Sequence, residues 1–329
     1  MGQENQPQEA QGQPAPGQQS QDRRILVILG PTAVGKTDVA IETALRLDGE
    51  IISADSAAVY RGMDVSAVKP TQEERKGVPF HLIDVADPRE AFTAGRFAEL
   101  ARAAIREIRQ RGRLPIVCGG TGLYIRALLA QYRPPPPVSL QTRLELQSKG
   151  PAAIRAELER IDPIAAQKIH PNDPVRNLRA LEVYTVSGLP WSDWQKREEC
   201  ELPSLKIGLT MDRKALYERI DRRSAHLFET GLVEETRALL EAGAPEDAPA
   251  LRMLGVKQAV RMLKGESTRA QAVEDFQLQT RRYAKRQMTW FRREPNVIWM
   301  ETSGEARATS ARIAELWYLS PMEGGRLNG

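Results

Sequence analysis

The chain has 329 residues, 41% of them apolar and 27% charged, a balance that suits one large or two modest globular domains and excludes a collagen, a coiled coil or a disulfide scaffold. Its 47 Lys and Arg against 43 Asp and Glu leave a formal charge of +4, so any nucleic-acid surface has to be a local patch. Two cysteines, Cys118 and Cys200, cannot build a disulfide framework, and no apolar run reaches the length of about 18 residues that reads as a membrane span, so a protein of the reducing cytoplasm is expected.

Residues 1–22 are Gln, Pro, Gly and Glu with almost nothing to bury, and are expected to form a disordered tail. This stretch lacks the basic-then-apolar order of a secretion signal, and Gln6 spoils a myristoylation pattern at Gly2. The character changes at Arg24. Ile25 to Leu29 is a continuous, β-branched-rich run ending in Gly30-Pro31, the pattern of a strand buried on both faces. Glu50 to Ala54, Phe80 to Val85 and Leu114 to Cys118 read as further strands, and Thr37 to Leu47 and Phe92 to Arg111 as amphipathic helices between them. Such alternation implies an α/β fold with a mostly parallel sheet covered on both faces.

The prolines Pro134 to Pro137 can continue neither a helix nor a central strand and mark a hinge. From there to Glu201 the pattern is helical (Leu140 to Leu146, Ala152 to Ile161, Pro174 to Ser187), which predicts a small helical insertion. A strand returns at Leu205 to Thr210, followed by helical segments from Arg213 onward. The expected division is therefore a core of residues 23–133 and 202–318, an insertion of 134–201, and a second disordered tail of 319–329.

Gly30-Pro31-Thr32-Ala33-Val34-Gly35-Lys36-Thr37 fits the phosphate-binding loop G-x-x-x-x-G-K-[ST], with a buried strand before it and a helix after it. Backbone N–H groups and the helix N-terminus aim positive charge at one point, Lys36 adds a full charge, and the Thr37 hydroxyl suits Mg²⁺. The loop recognises a pyrophosphate group whichever molecule carries it, ATP included. A kinase would need a second carboxylate for the metal, and Asp84 at the end of an apolar run fits that role and a turn-capping role equally well. Asp55 follows the second strand, where a parallel sheet lines its ligand crevice. It is placed there to act as a general base or simply to cap the turn. Cys118-Gly119-Gly120-Thr121-Gly122 repeats the strand, glycine turn and helix-start pattern on the same edge. From these residues alone three readings stand: a group transferase, a small-molecule kinase with Asp55 as base, and a nucleotide-switch or RNA-binding ATPase.

Taken in order, the Gly30–Thr37 loop, Ser53-Ala54-Asp55-Ser56 with Tyr60, Lys69-Pro70-Thr71, Gly119-Gly120-Thr121-Gly122-Leu123-Tyr124, Asn172-Asp173-Pro174 with Arg176, Arg179-Ala180-Leu181-Glu182-Val183, and Thr280-Arg281-Arg282-Tyr283-Ala284-Lys285-Arg286-Gln287 resemble the bacterial tRNA dimethylallyltransferases (tRNA isopentenyltransferases) from Ile25 to about Phe291. The resemblance implies a P-loop core, dimethylallyl diphosphate and tRNA as substrates, Mg²⁺ as cofactor, and transfer of the dimethylallyl group to N6 of the adenosine 3′-adjacent to the anticodon. It implies Asp55 as proton acceptor, Arg213 and Arg219 as catalytic partners of the diphosphate held by Gly30 to Thr37, and Asp55, Ser56, Ala57, Ala58 and Thr121 on the extruded base. Where the family has glutamine this chain has Ala58, and its Gly-Tyr reads Gly255-Val256.

Between Thr280 and Arg293 there are basic residues and no acid. On a helix Tyr283, Gln287 and Trp290 form one stripe and Arg282, Arg286 and Arg293 lie to one side, which predicts a core-facing stripe backed by a basic face that grips the anticodon stem-loop. Arg281, Arg282, Lys285, Arg286 and Gln287 are the first candidates for tRNA contact, and Arg143, Arg176 and Arg179 in the insertion follow. Trp191 and Trp194 fit base stacking or, more simply, the core of the insertion. A monomer is expected.

Overall fold

The computed structural model describes residues 24–130, 135–194 and 202–320. The two expected tails, apart from Leu319 and Ser320, and the start of the proline run lie outside these residues. In chain order the elements are β1 (Ile25–Leu29), α1 (Lys36–Leu47), β2 (Gly49–Ser53), α2 (Gln72–Arg75), β3 (Phe80–His81), α3 (Ala94–Gln110), β4 (Leu114–Gly119), α4 (Gly122–Leu129), α5 (Leu140–Ser148), α6 (Pro151–Ile161), α7 (Pro163–Lys168), α8 (Pro174–Ser187), α9 (Trp191–Trp194), β5 (Ser204–Thr210), α10 (Arg213–Glu229), α11 (Leu232–Glu241), α12 (Val256–Leu263), α13 (Arg269–Phe291), β6 (Val297–Glu301) and α14 (Ala306–Leu319). No helix among them is long and apolar enough to cross a membrane.

The fold is α/β, with a six-stranded sheet in the order β3-β2-β4-β1-β5-β6, every neighbouring pair parallel. Each residue of β1 is fully buried, because Ile25, Val27 and Leu29 pack into one apolar layer and Leu26 and Ile28 into the other. The chain builds β2 to β4 on one side of β1 and β5 to β6 on the other. The C-terminal end of β1 is thus the point where the connections diverge, and open parallel sheets place their ligand crevice there.

Two strands differ from expectation. The predicted strand Phe80 to Val85 stops after His81, because Leu82 and Asp84 take left-handed backbone angles of 63° and 60°. The segment instead pairs with the loop after β2: Asp84 N–H donates to Ala58 O at 3.1 Å and Ala86 N–H to Val59 O at 2.8 Å. Asp84 consequently turns to Lys69, 2.5 Å away, and not to the phosphate loop. Strand β6 was not expected at all. It lies at the sheet edge, only partly buried, so its pattern lacks the apolar continuity of β1.

Helices α5 to α9 interrupt the sheet between β4 and β5 and pack on one another around Leu158, Ala165, Ala166, Ile169 and Ala180, with a second small cluster of Leu146, Ile154 and Leu181. Trp191 packs against the first cluster as core.

Candidate active site

Five segments meet at the C-terminal edge of the sheet: the loops after β1, β2 and β4, and the facing sides of α10 and α13. Together with the Ser66 to Pro70 loop they line a cleft of about 850 Å³. The loop after β1 must begin with glycine, because at a φ of 153° a Cβ on Gly30 would stand 2.6 Å from the Leu209 carbonyl oxygen. Val34 points into the core, fully buried, so this position offers the cleft only backbone. Lys36 Nζ donates to the Pro31 carbonyl at 2.7 Å. The Lys36 ammonium is lowered from 10.5 to about 8, chiefly by burial and with a smaller part from the Arg223 charge, against the opposing effect of Cys118 and Asp55. A cation held at that desolvation cost is poised for an anion.

On the other wall, Asp55 Oδ1 accepts from Ala57 N–H at 2.8 Å and from Ala58 N–H at 3.3 Å. The carboxylate therefore caps its turn and also lines the cleft, so the two roles weighed for it are compatible. Thr121 Oγ1 accepts from Ser56 N–H at 3.0 Å, and across from it Tyr283 lines the cleft with a hydroxyl that burial and the Asp55 charge push up to about 12. Ala58 is buried and brings no polar atom where the resembling family has an amide.

Helix α10 supplies Arg219, Arg222 and Arg223 to the cleft. Arg223 Nη2 donates to Thr32 Oγ1 at 2.6 Å, and its guanidinium is disfavoured by burial and favoured by Asp55. Among the described residues it has no carboxylate within ion-pair distance. Arg213, expected beside the diphosphate, is not among the cleft residues: it is exposed in the first turn of α10 with its guanidinium 5.2 Å from the Tyr217 ring centre. Six residues separate it from Arg219, and on a helix of 3.6 residues per turn that spacing turns the two side chains well apart. Arg223, which the sequence reading missed, lies four residues beyond Arg219 on the same face, and that periodicity is the signal that could have found it.

Of the expected RNA contacts, Arg282, Lys285 and Arg286 are exposed on α13, and Arg286 also reaches the cleft. Arg281 is paired with Asp221. Arg143 and Arg179 hold Glu182, which is 1% exposed, at 2.6 and 2.9 Å, so a buried carboxylate on α8 already engages both. Arg176 stands exposed at the start of α8, 3.5 Å from Asp173. Gln287 is not exposed with them. It is buried, its Oε1 accepting from Thr32 N–H at 2.8 Å and its Nε2 donating to Gly120 O at 2.8 Å. Tyr283, read as part of a core stripe, lines the cleft instead, while the buried positions of that part of α13 are Thr280, Ala284, Gln287 and Phe291.

Residues 58–294 match the family model described as IPP transferase. A tRNA dimethylallyltransferase of Koribacter versatilis is 48% identical over 298 residues, covering 87% of this chain and 95% of its own, and one of Thermomicrobium roseum is 46% identical over 284 residues, covering 85% and 86%. Among solved structures, a tRNA isopentenylpyrophosphate transferase from Bacillus halodurans is 40% identical with a TM-score of 0.66 over 89% of this chain and 96% of that one. A eukaryotic dimethylallyltransferase acting on tRNA has a TM-score of 0.77 at 27% identity, over 89% of this chain and 78% of its own.

Proposed function

The chain belongs to the IPP transferase family, and from that premise we propose how its cleft performs the reaction. It is a tRNA dimethylallyltransferase: the dimethylallyl group of dimethylallyl diphosphate passes to N6 of the adenosine 3′-adjacent to the anticodon, and diphosphate leaves. The observation that carries the assignment of roles is the convergence of Lys36 and Arg223 with Asp55 across one cleft, two anion-seeking cations facing a carboxylate.

The bond between the allylic carbon and the diphosphate oxygen breaks as the bond to N6 forms, so negative charge grows on the departing oxygens. Donors that are fixed before that charge appears stabilise the transition state more than the ground state. The N–H groups from Ala33 to Thr37, Lys36, Arg219 and Arg223 are those donors, the Thr32 N–H being held by Gln287. Asp55 takes the proton that N6 must lose, and Ser56, Ala57, Ala58 and Thr121 form the walls around the extruded base. Extrusion costs a few kcal/mol, roughly, which contacts elsewhere on the RNA offset. The exposed face of Arg282, Lys285 and Arg286, with Arg176 on the insertion, supplies them.

No group of three or more His, Cys, Asp or Glu side chains among the described residues is placed to cage a metal. That suits a magnesium ion held by Thr37 and by the substrate's own oxygens, since Mg²⁺ keeps several waters and is ordinarily bound with substrate phosphates. When bound, the ion adds charge neutralisation to the leaving diphosphate. We place the enzyme in the cytoplasm, where its tRNA is, and as a monomer. Calorimetric titration tests the reading: dimethylallyl diphosphate should bind in the presence of magnesium and be displaced by inorganic diphosphate. Tight ATP binding with no affinity for the five-carbon donor would instead favour the kinase reading.

A further inference from the structure

Gln287 connects parts of the cleft that belong to different substrates. Its Oε1 accepts from the backbone N–H of Thr32, and the Thr32 hydroxyl accepts from Arg223; its Nε2 donates to the carbonyl of Gly120, next to Thr121. Both hydrogen-bonding ends of the amide are used, and the side chain is 6% exposed. The fit is tight: a Cβ on Gly120 would lie 2.5 Å from Nε2, so glycine is required for the amide to reach the carbonyl. One turn earlier on the same helix, Tyr283 lines the cleft.

We propose, on the reading that the chain is a tRNA dimethylallyltransferase, that Gln287 is the positioning residue that fixes the spacing between the diphosphate clamp and the base pocket, through Thr32 and Arg223 on one side and Gly120 and Thr121 on the other. Gln287 touches neither substrate. The Thr32 end needs an acceptor and the Gly120 end needs a donor, and an amide supplies both at every pH. Loss of the bridge leaves each half-site able to bind its own ligand and misaligns the two reacting atoms. Misplacement on the order of 1 Å costs about a hundredfold in rate.

Two variants test this against a role in stability alone. Gln287→Ala should lower kcat for transfer about a hundredfold, with the affinity for inorganic diphosphate and for unmodified tRNA each within about threefold of wild type. Gln287→Glu is sharper. Protonated, its carboxyl group is an isostere of the amide, accepting at Thr32 and donating to Gly120; ionised, it can only accept. Burial raises the pKa of such a carboxyl and the Asp55 charge on the base side supports the rise, while Arg223 and Lys36 on the cradle side oppose it and the Tyr283 hydroxyl stays neutral throughout. The ratio of the variant's kcat to that of wild type should therefore climb about tenfold or more as the pH falls from about 8 to about 6. If Gln287→Ala does not fold, this ratio decides the matter alone. A ratio that stays flat with pH, or turnover of both variants within about threefold of wild type, overturns the proposal. Wild-type enzyme assayed alongside separates the two levels: if it transfers no prenyl group the functional reading fails and the proposal falls with it, whereas normal wild-type transfer with indifferent variants removes the proposal alone.

Discussion

Replacing Arg223 with glutamine should separate stability from activity, because the same guanidinium is a burden in the free protein and an asset at the transition state. In the structure it is half-buried, donates to the Thr32 hydroxyl at 2.6 Å, and has no carboxylate within ion-pair distance among the described residues. Its pKa lies below the usual arginine value, first because of burial and also because of Arg219, with Asp55 opposing. A cation whose folded-state pKa is depressed costs stability at every pH where it stays charged, so neutralising it should leave the protein as stable or more stable, by about 1 kcal/mol, or about 2 to 4 °C in Tm. Removing a pre-placed donor from a developing anion typically costs about 3 to 4 kcal/mol, so turnover should fall roughly 10² to 10³-fold. Steady-state transfer with both substrates saturating, beside thermal unfolding of the same preparations, reads both quantities. A drop of several degrees in Tm accompanying the loss would show that Arg223 acts as a structural tie, and turnover within about threefold of wild type would remove it from the clamp.

Asp55→Ala should depress turnover by roughly 10² to 10⁴ and leave diphosphate affinity almost unchanged, since the proton acceptor is not part of the cradle; its two turn-capping bonds make unfolding measurements a necessary companion, and undiminished turnover would reduce the carboxylate to that capping role. Neutralising Arg282 and Arg286 together should weaken tRNA binding and flatten its dependence on salt by a slope of about 1 to 2, one counterion per lost phosphate contact; an unaltered slope would put the RNA elsewhere. Lys36 is at about 8 in the free cleft, so as the pH rises through that value the cradle loses its charge, and a bound diphosphate should restore it. Binding near pH 8 to 9 should therefore take up a proton, visible as a heat that varies with the ionisation enthalpy of the buffer; a buffer-independent heat would contradict the perturbed lysine.

The phosphate loop was legible because its evidence is local: a continuous apolar strand, glycines at fixed spacing, and a helix start within one short stretch. The limits of β3 were not, because what ends that strand is its partner. Leu82 and Asp84 adopt left-handed angles so that the segment can pair with the loop after β2, and nothing in Phe80 to Val85 by itself announces this. Edge strand β6 escaped for a related reason, since a strand with one neighbour and partial cover needs no apolar alternation. Among the arginines, residue type was a poor guide and helical phase a better one. Arg213 and Arg223 are chemically alike, yet one is at the solvent and the other inside the cleft. For Arg143 and Arg179 the missing fact was a partner, the buried Glu182, of which only the i, i+3 pair with Arg179 is visible along the chain. Gln287 belongs to the buried face of α13, in line with its place in the core-facing stripe, although the basic residues around it also make it a candidate for RNA contact. Its burial follows from one step of 100° around the helix, and its role depends on a glycine 167 residues away.

The most direct measurement follows the carbon of the donor. Dimethylallyl diphosphate labelled in its five-carbon group is incubated with magnesium, the enzyme and an unmodified tRNA, and the RNA is digested to nucleosides. The label should appear on N6 of the adenosine that follows the anticodon, with one inorganic diphosphate released for each group transferred. Unlabelled RNA, together with phosphoryl transfer from ATP to a small alcohol, would contradict the account at its base.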